Sequence, residues 1–239
     1  MLTVLRRNPS AGLLAVHLVG MLLYPLMESS PRGRIVFGLF GLLVLAIALW
    51  VVRRSPWLTW LGVTLALPVI ALSVLTLLGM APRQELVVAT AALEGAFYFY
   101  AAGSLTAYML QDQIVAADEL FAAGATFTLL AWAFAYLFVA CQTMQPGAFG
   151  YSTTTLTSTV GIHLDSGGGS LAPRSWTELL YCSVAVLSSV GLSDILPVTP
   201  MARALVMLES ITGIMYIALV VSRLISLMAT VRKDRSSTP

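Results

Sequence analysis

Residues 176–194 read WTELLYCSVAVLSSVGLSD, and this stretch limits what the rest of the chain can be. Its apolar part, 179–187, is too short to cross a bilayer core, which takes about 20 residues. It then runs into Ser188, Ser189, Val190, Gly191, Leu192, Ser193 and Asp194, a small-residue run that exposes backbone carbonyls and does not favour a helix. Irregular backbone at membrane depth is tolerated only where it is buried in protein or lines a watery cavity. The sequence therefore predicts half a helix that enters the membrane, followed by an extended carbonyl-rich loop.

Ser175 and Glu178 make a capping box, in which the serine accepts from the third helical N–H and the glutamate reaches back. The half-helix is thus expected to start at Trp176. Running inward, it aims its last carbonyls, near Leu187 and Ser188, toward the membrane centre. A helix end carries roughly half a negative charge, so several such ends around one watery cavity favour a cation. Rings of backbone carbonyls are one way in which proteins select ions.

Composition agrees. Hydrophobic residues make up 58% of 239 and charged residues 10%, where a soluble domain carries about 25% charge. The chain reads as a polytopic membrane protein in contact with the lipid bilayer. The net charge of +2 is small and the basic residues are scattered, which gives no footprint for nucleic acid. Cys141 and Cys182 lie in apolar runs without metal-ligand spacing and read as packing residues. No His/Asp/Glu cluster, phosphate loop or nucleophile elbow occurs in the sequence. No enzyme, catalytic residue, cofactor or small-molecule substrate is indicated.

Six apolar segments are expected to span the membrane: 11–27, 35–52, 57–80, 86–110, 120–141 and 201–228. The first follows Arg6 and Arg7, but 28–31 offers no small-residue cleavage site, so it reads as a membrane helix. Pro68 is expected to kink the third. A polar linker covers 111–119, and a long Gly/Ser/Thr-rich loop covers 142–175. No soluble domain is expected at either end. With the N-terminus inside, Arg6, Arg7, Arg53, Arg54, Arg223, Arg232, Lys233 and Arg235 fall on the cytoplasmic side. Arg32, Arg34, Arg83, Arg174 and Arg203 fall outside. This modest positive-inside bias places both termini in the cytoplasm of a multi-pass inner-membrane protein, and the half-helix then enters from outside.

The run Ser189-Val190-Gly191-Leu192-Ser193-Asp194 resembles the potassium-channel signature Thr-Val-Gly-Tyr-Gly-Asp. The likeness to bacterial potassium channels continues through Pro197, Val198, Thr199, Arg203 and Gly213, and covers about 123–227. It implies an all-α membrane protein with six transmembrane helices plus a re-entrant pore helix and filter loop. Residues 1–119 would be a four-helix accessory domain and linker, in the place of a voltage sensor. Residues 120–239 would be the pore domain of a homotetramer. The implied function is a passive cation channel, with potassium the expected ion. The carbonyls of Ser189, Val190, Gly191 and Leu192, with the Ser189 hydroxyl, would hold the permeant K+. Ser188, Ser193, Asp194 and Tyr181 would support the filter, Tyr181 by donating to Asp194, and Gly213 would be a hinge or a packing glycine. A weakly selective cation channel is the alternative. A non-conducting protein that keeps a pore-like loop is a further one.

The departures from that signature bear on selectivity. Leu192 replaces the tyrosine that braces the filter, and Cys182 stands where many members place its tryptophan partner. Ser193 replaces a glycine that usually takes positive φ, so strain of about 1 kcal/mol or more is expected there. Ala185 cannot supply the acid that some members use against Asp194. A second filter-like run, 157–161, follows residues that cannot form a half-helix and reads as turret; His163 beside it reads as solvated. Glu94 and Glu209 are intramembrane acids, a rare placement. The resemblance implies that Glu209 lies behind the pore loop in a structural hydrogen bond, with ion contact the alternative; Glu94 is expected in a neutral bond to a neighbouring helix, with a proton- or voltage-sensitive role the alternative. The fourth segment carries no Lys or Arg, so steep voltage sensing is not expected.

Overall fold

The computed structural model describes residues 9–28, 40–41, 43–44, 46–47, 56–77, 84–111, 117–151 and 173–236. Its bounded elements are α1 (Pro9–Glu28), α2 (Pro56–Leu77), α3 (Gln84–Gln111), α4 (Ala117–Met144), β1 (Phe149–Tyr151), α5 (Trp176–Leu187), β2 (Ile195–Pro197) and α6 (Pro200–Ser236). The expected second span, 35–52, lies mostly outside the described residues, as do the decoy run 157–161 and His163. Among the described residues three helical stretches are long and apolar enough to cross a membrane: Gln84–Leu110, Asp118–Met144 and Pro200–Arg223.

The helix limits follow local chemistry. Pro68 sits inside α2 without ending it. The linker is shorter than the expected 111–119, because α3 runs to Gln111 and α4 starts at Ala117. Asp118 and Glu119 supply negative charge to the first turn of α4, where the helix dipole favours it. α6 starts after Thr199, whose Oγ1 accepts from Ala202 N at 3.4 Å, and Pro200 takes the first helical position.

α4 is the central helix. It contacts α1, α3, α5 and α6, and 72% of its apolar window is buried, against 17% for α6. Ala122, Ala125, Ala131, Ala133 and Ala135 are fully buried along it, and such small side chains let helix backbones approach. α3 comes close to α4 at Gly95, where a Cβ would lie 3.3 Å from the Ala133 carbonyl oxygen. At one end of α4, Asp118 accepts from the backbone N and the hydroxyl of Ser10, each at 3.2 Å. Glu119 beside it pairs with Arg223 of α6 at 3.7 Å.

An aromatic cluster joins α1, α3 and α4 to the start of α5. Trp132 meets the His17 ring edge-on at 4.8 Å and the Trp176 ring at 4.9 Å. Tyr98 stacks on Tyr136 at 5.6 Å. Among the described residues the fold departs from an all-helical reading in one place. β1 and β2 pair antiparallel, with Phe149 opposite Pro197, Gly150 opposite Leu196 and Tyr151 opposite Ile195. Gly147, at φ 81°, turns the chain into β1, and buried Phe149 packs on Phe138 at 4.9 Å.

Candidate pore helix and filter loop

α5 begins where its capping box predicts. Ser175 is the N-cap in extended conformation. Its Oγ accepts from Glu178 N at 3.3 Å, and Glu178 Oε2 accepts from Ser175 N at 2.6 Å. Three further residues anchor this start, and the sequence did not single them out. The Gln142 side-chain amide pairs with the Arg174 backbone in both directions, each bond 2.9 Å. The Arg174 guanidinium lies 4.2 Å from the centre of the Tyr151 ring. The Tyr151 hydroxyl donates to Glu178 Oε1. That bond to a carboxylate, aided by partial burial, raises the Tyr151 hydroxyl above its ordinary value. Burial would raise the Glu178 carboxyl, but the bonds from Tyr151 and Ser175 and the Arg174 charge outweigh it, and the net shift is downward.

The far end of α5 is closed by a left-handed residue. The C-cap is Ser188, and Ser189 follows at φ 59°, the one non-glycine with positive φ among the described residues. Its N–H bonds Val186 O at 2.9 Å, the inner bond of a Schellman-type helix end. One residue beyond the position that closes a full Schellman motif, the Gly191 N–H reaches back to Ala185 O at 3.0 Å. Gly191 is itself left-handed, at φ 68°. Ser193 N then donates to Gly191 O at 3.0 Å. The segment after α5 is therefore knitted to the helix end rather than freely extended.

The expected strain is real but misplaced. Ser193 does not have positive φ; Ser189 does. Ser193 instead makes a local turn, its Oγ accepting from Ile195 N at 3.1 Å. The support expected from Tyr181 is also absent. Tyr181 is 52% exposed, Asp194 is exposed, and no hydrogen bond joins them. The wall behind the loop is formed by Cys182, whose Sγ lies 3.8 Å from Ile195 O in β2. Both cysteines are free and buried, as packing residues are. Val190 and Leu192 are 60% and 71% exposed.

Glu209 lies behind the pore helix and is wholly buried. It contacts Ser183 of α5, a residue that carries no motif and that the sequence reading passed over. Ser183 Oγ also lies 2.8 Å from Ala131 O of α4, so three helices meet at one hydroxyl. Gly213 is packed against the pore helix. A Cβ on it would come within 2.1 Å of Leu187 O and 2.9 Å of Leu187 C, the last residue of the pore helix. Glu94 is partly buried on α3, one turn before Tyr98. Among the described residues no group of three His, Cys, Asp or Glu side chains could hold a metal ion.

Residues 124–230 match a family model described as ion channel. No curated protein and no solved structure matches the chain. The matched stretch starts inside α4 and runs through β1, α5 and β2 into α6. The unit that the sequence likens to potassium channels, about 123–227, is thus similar to an ion-channel family over nearly the same residues, and among the described residues its surroundings include helices long and apolar enough to cross a membrane.

Proposed function

We propose that four copies of the chain form a passive cation channel in the cell membrane, with K+ passing the carbonyls of Ser189, Val190, Gly191 and Leu192. The observation that carries this reading is a capped half-helix ending in an exposed filter segment, inside the stretch that matches an ion-channel family. One chain offers only a quarter of such a filter. The surfaces that other copies would cover are there: little of the apolar window of the inner helix α6 is buried, and Val190 and Leu192 are open. In this arrangement residues 120–239 are the pore domain, and residues 1–119 are an accessory domain docked on α4 through His17 and α3. Six spans put both termini in the cytoplasm, and α5 enters from outside. Hard cations suit oxygen ligands, and adjacent sites let ions repel one another onward.

A weakly selective cation channel is the second reading. Leu192 has no polar group with which to brace the filter, and Ser193 spends its hydroxyl on Ile195. Flux from liposomes holding the purified protein separates the two. Potassium and rubidium flux well above sodium flux, blocked by barium, is the expected result. Equal potassium and sodium flux selects the weakly selective channel. No flux under any cation gradient, with membrane tension and pH varied, leaves a non-conducting protein.

A further inference from the structure

Ser183 and Leu187 are four residues apart on α5, and their partners on α6, Glu209 and Gly213, are also four apart. Residues at that spacing share one helix face, one turn apart. The two helices therefore run in the same direction here, with these two contacts in one register. We infer that these contacts set the position of the filter's inner end, so that α6 acts on conduction through Ser189 rather than by bending at Gly213. The inference rests on the channel reading proposed above.

The first contact is a hydrogen-bonded bridge whose protons can be counted. Ser183 Oγ sits 2.8 Å from Ala131 O and also touches Glu209 Oε1. A carbonyl oxygen only accepts, and a serine hydroxyl has one hydrogen. The hydroxyl therefore donates to Ala131 O, and the proton in the other contact belongs to Glu209. Glu209 Oε2 has no partner, and the residue is fully buried. An ionised carboxylate would be very costly there without a paired cation. Glu209 is thus a neutral acid that donates to Ser183 and, through it, ties α6 to α5 and α4.

The second contact is steric. The Leu187 peptide lies on the backbone of α6 at Gly213 with no room for a side chain. Two residues later the chain turns left-handed at Ser189, held by its bond to Val186 O. A bend of α6 at Gly213 would open the helix under the pore helix's last residue. Movement of α6 is then delivered to Leu187 and onward to the first filter carbonyl. Ser183, Glu209 and Gly213 are positioning residues in this scheme, and none of them touches the ion.

The test compares wild-type protein in liposomes with Glu209→Gln, Glu209→Leu and Ser183→Ala, reading the ratio of potassium to sodium flux together with assembly in detergent. Glutamine still donates to Ser183, so Glu209→Gln should keep the wild-type ratio. Loss of the bridge in Glu209→Leu or Ser183→Ala should shift the ratio by about fivefold, the scale set by one net hydrogen bond. If Glu209→Leu does not assemble, Ser183→Ala, a one-atom deletion, carries the test. Assembled Ser183→Ala or Glu209→Leu channels with an unchanged ratio overturn the inference, as does a Glu209→Gln ratio that shifts like that of Glu209→Leu. Wild-type protein without flux overturns the channel reading itself, a separate outcome.

Discussion

The carbonyl oxygen of Leu187 lies where the Cβ of any other residue at Gly213 would have to be, 2.1 Å from that position. The end of one helix thus rests on the backbone of another, and the glycine exists for this contact. A mid-helix glycine is normally unfavourable by about 1 kcal/mol against alanine, so its place here is explained by close approach and not by helix propensity.

Gly213→Ala should therefore destabilise the protein. Overpacking costs about 1–3 kcal/mol, and the obstructing atoms here are backbone, which places the cost at the upper end. Thermal unfolding of the purified protein measures it. Gly103→Ala is the comparison, since a Cβ there meets nothing within 4 Å. It should be neutral or stabilising, and equal losses from both variants would contradict the contact.

Ser189 is left-handed without being glycine, a conformation costing roughly 1–2 kcal/mol. Ser189→Gly is expected to raise the unfolding temperature, whereas Ser193→Gly is not, because Ser193 lies outside the left-handed region. A gain from Ser193→Gly alone would move the strain back to the position that the sequence suggests.

The outer anchor of the pore helix carries a pH dependence. Glu178 has its carboxyl held below the ordinary range, despite burial, by Tyr151, Ser175 and Arg174. Its stabilising contribution is complete above the unfolded-state value of about 4.3 and is lost as pH falls through the lower folded value. Tyr151, raised by its bond to Glu178, contributes below its unfolded value of about 10 and loses this as pH rises through the folded value. Stability measured against pH should fall at both limbs. Glu178→Gln should flatten the acid limb.

Removal of the helix cap by Ser175→Ala should cost about 1 kcal/mol, read as a lower unfolding temperature. A variant as stable as wild type would mean that Gln142 and Arg174 hold the start of α5 unaided.

The absence of Lys and Arg from α3 predicts currents with shallow voltage dependence, since gating charge is what a membrane field acts on. Purified channels in a planar bilayer test this. A steep, multi-charge activation curve would show that charge moves elsewhere.

How much of this was legible in the sequence depended on the range of the interaction. The start of α5 was legible to the residue, because a capping box lies within three positions of itself. The apolar lengths of α3, α4 and α6 were legible because lipid and the helical rise dictate them. Glu209 was suspected because a buried acid is rare, but its partner was not named: Ser183 lies 26 residues away and carries no motif. The strain was assigned to Ser193 by likeness to a glycine, and the fold put it at Ser189, where the pore helix must be capped. Tyr181 was expected to donate to Asp194 in place of the acid that Ala185 cannot supply, and the tertiary structure turned it outward. The sequence alone determined a short capped helix followed by a small-residue segment that leaves the helix, since that follows from local hydrogen bonding and hydropathy. Only the tertiary structure decided what holds that end in place, because the contact at Gly213 and the bridge at Glu209 exist only once α4, α5 and α6 are packed together.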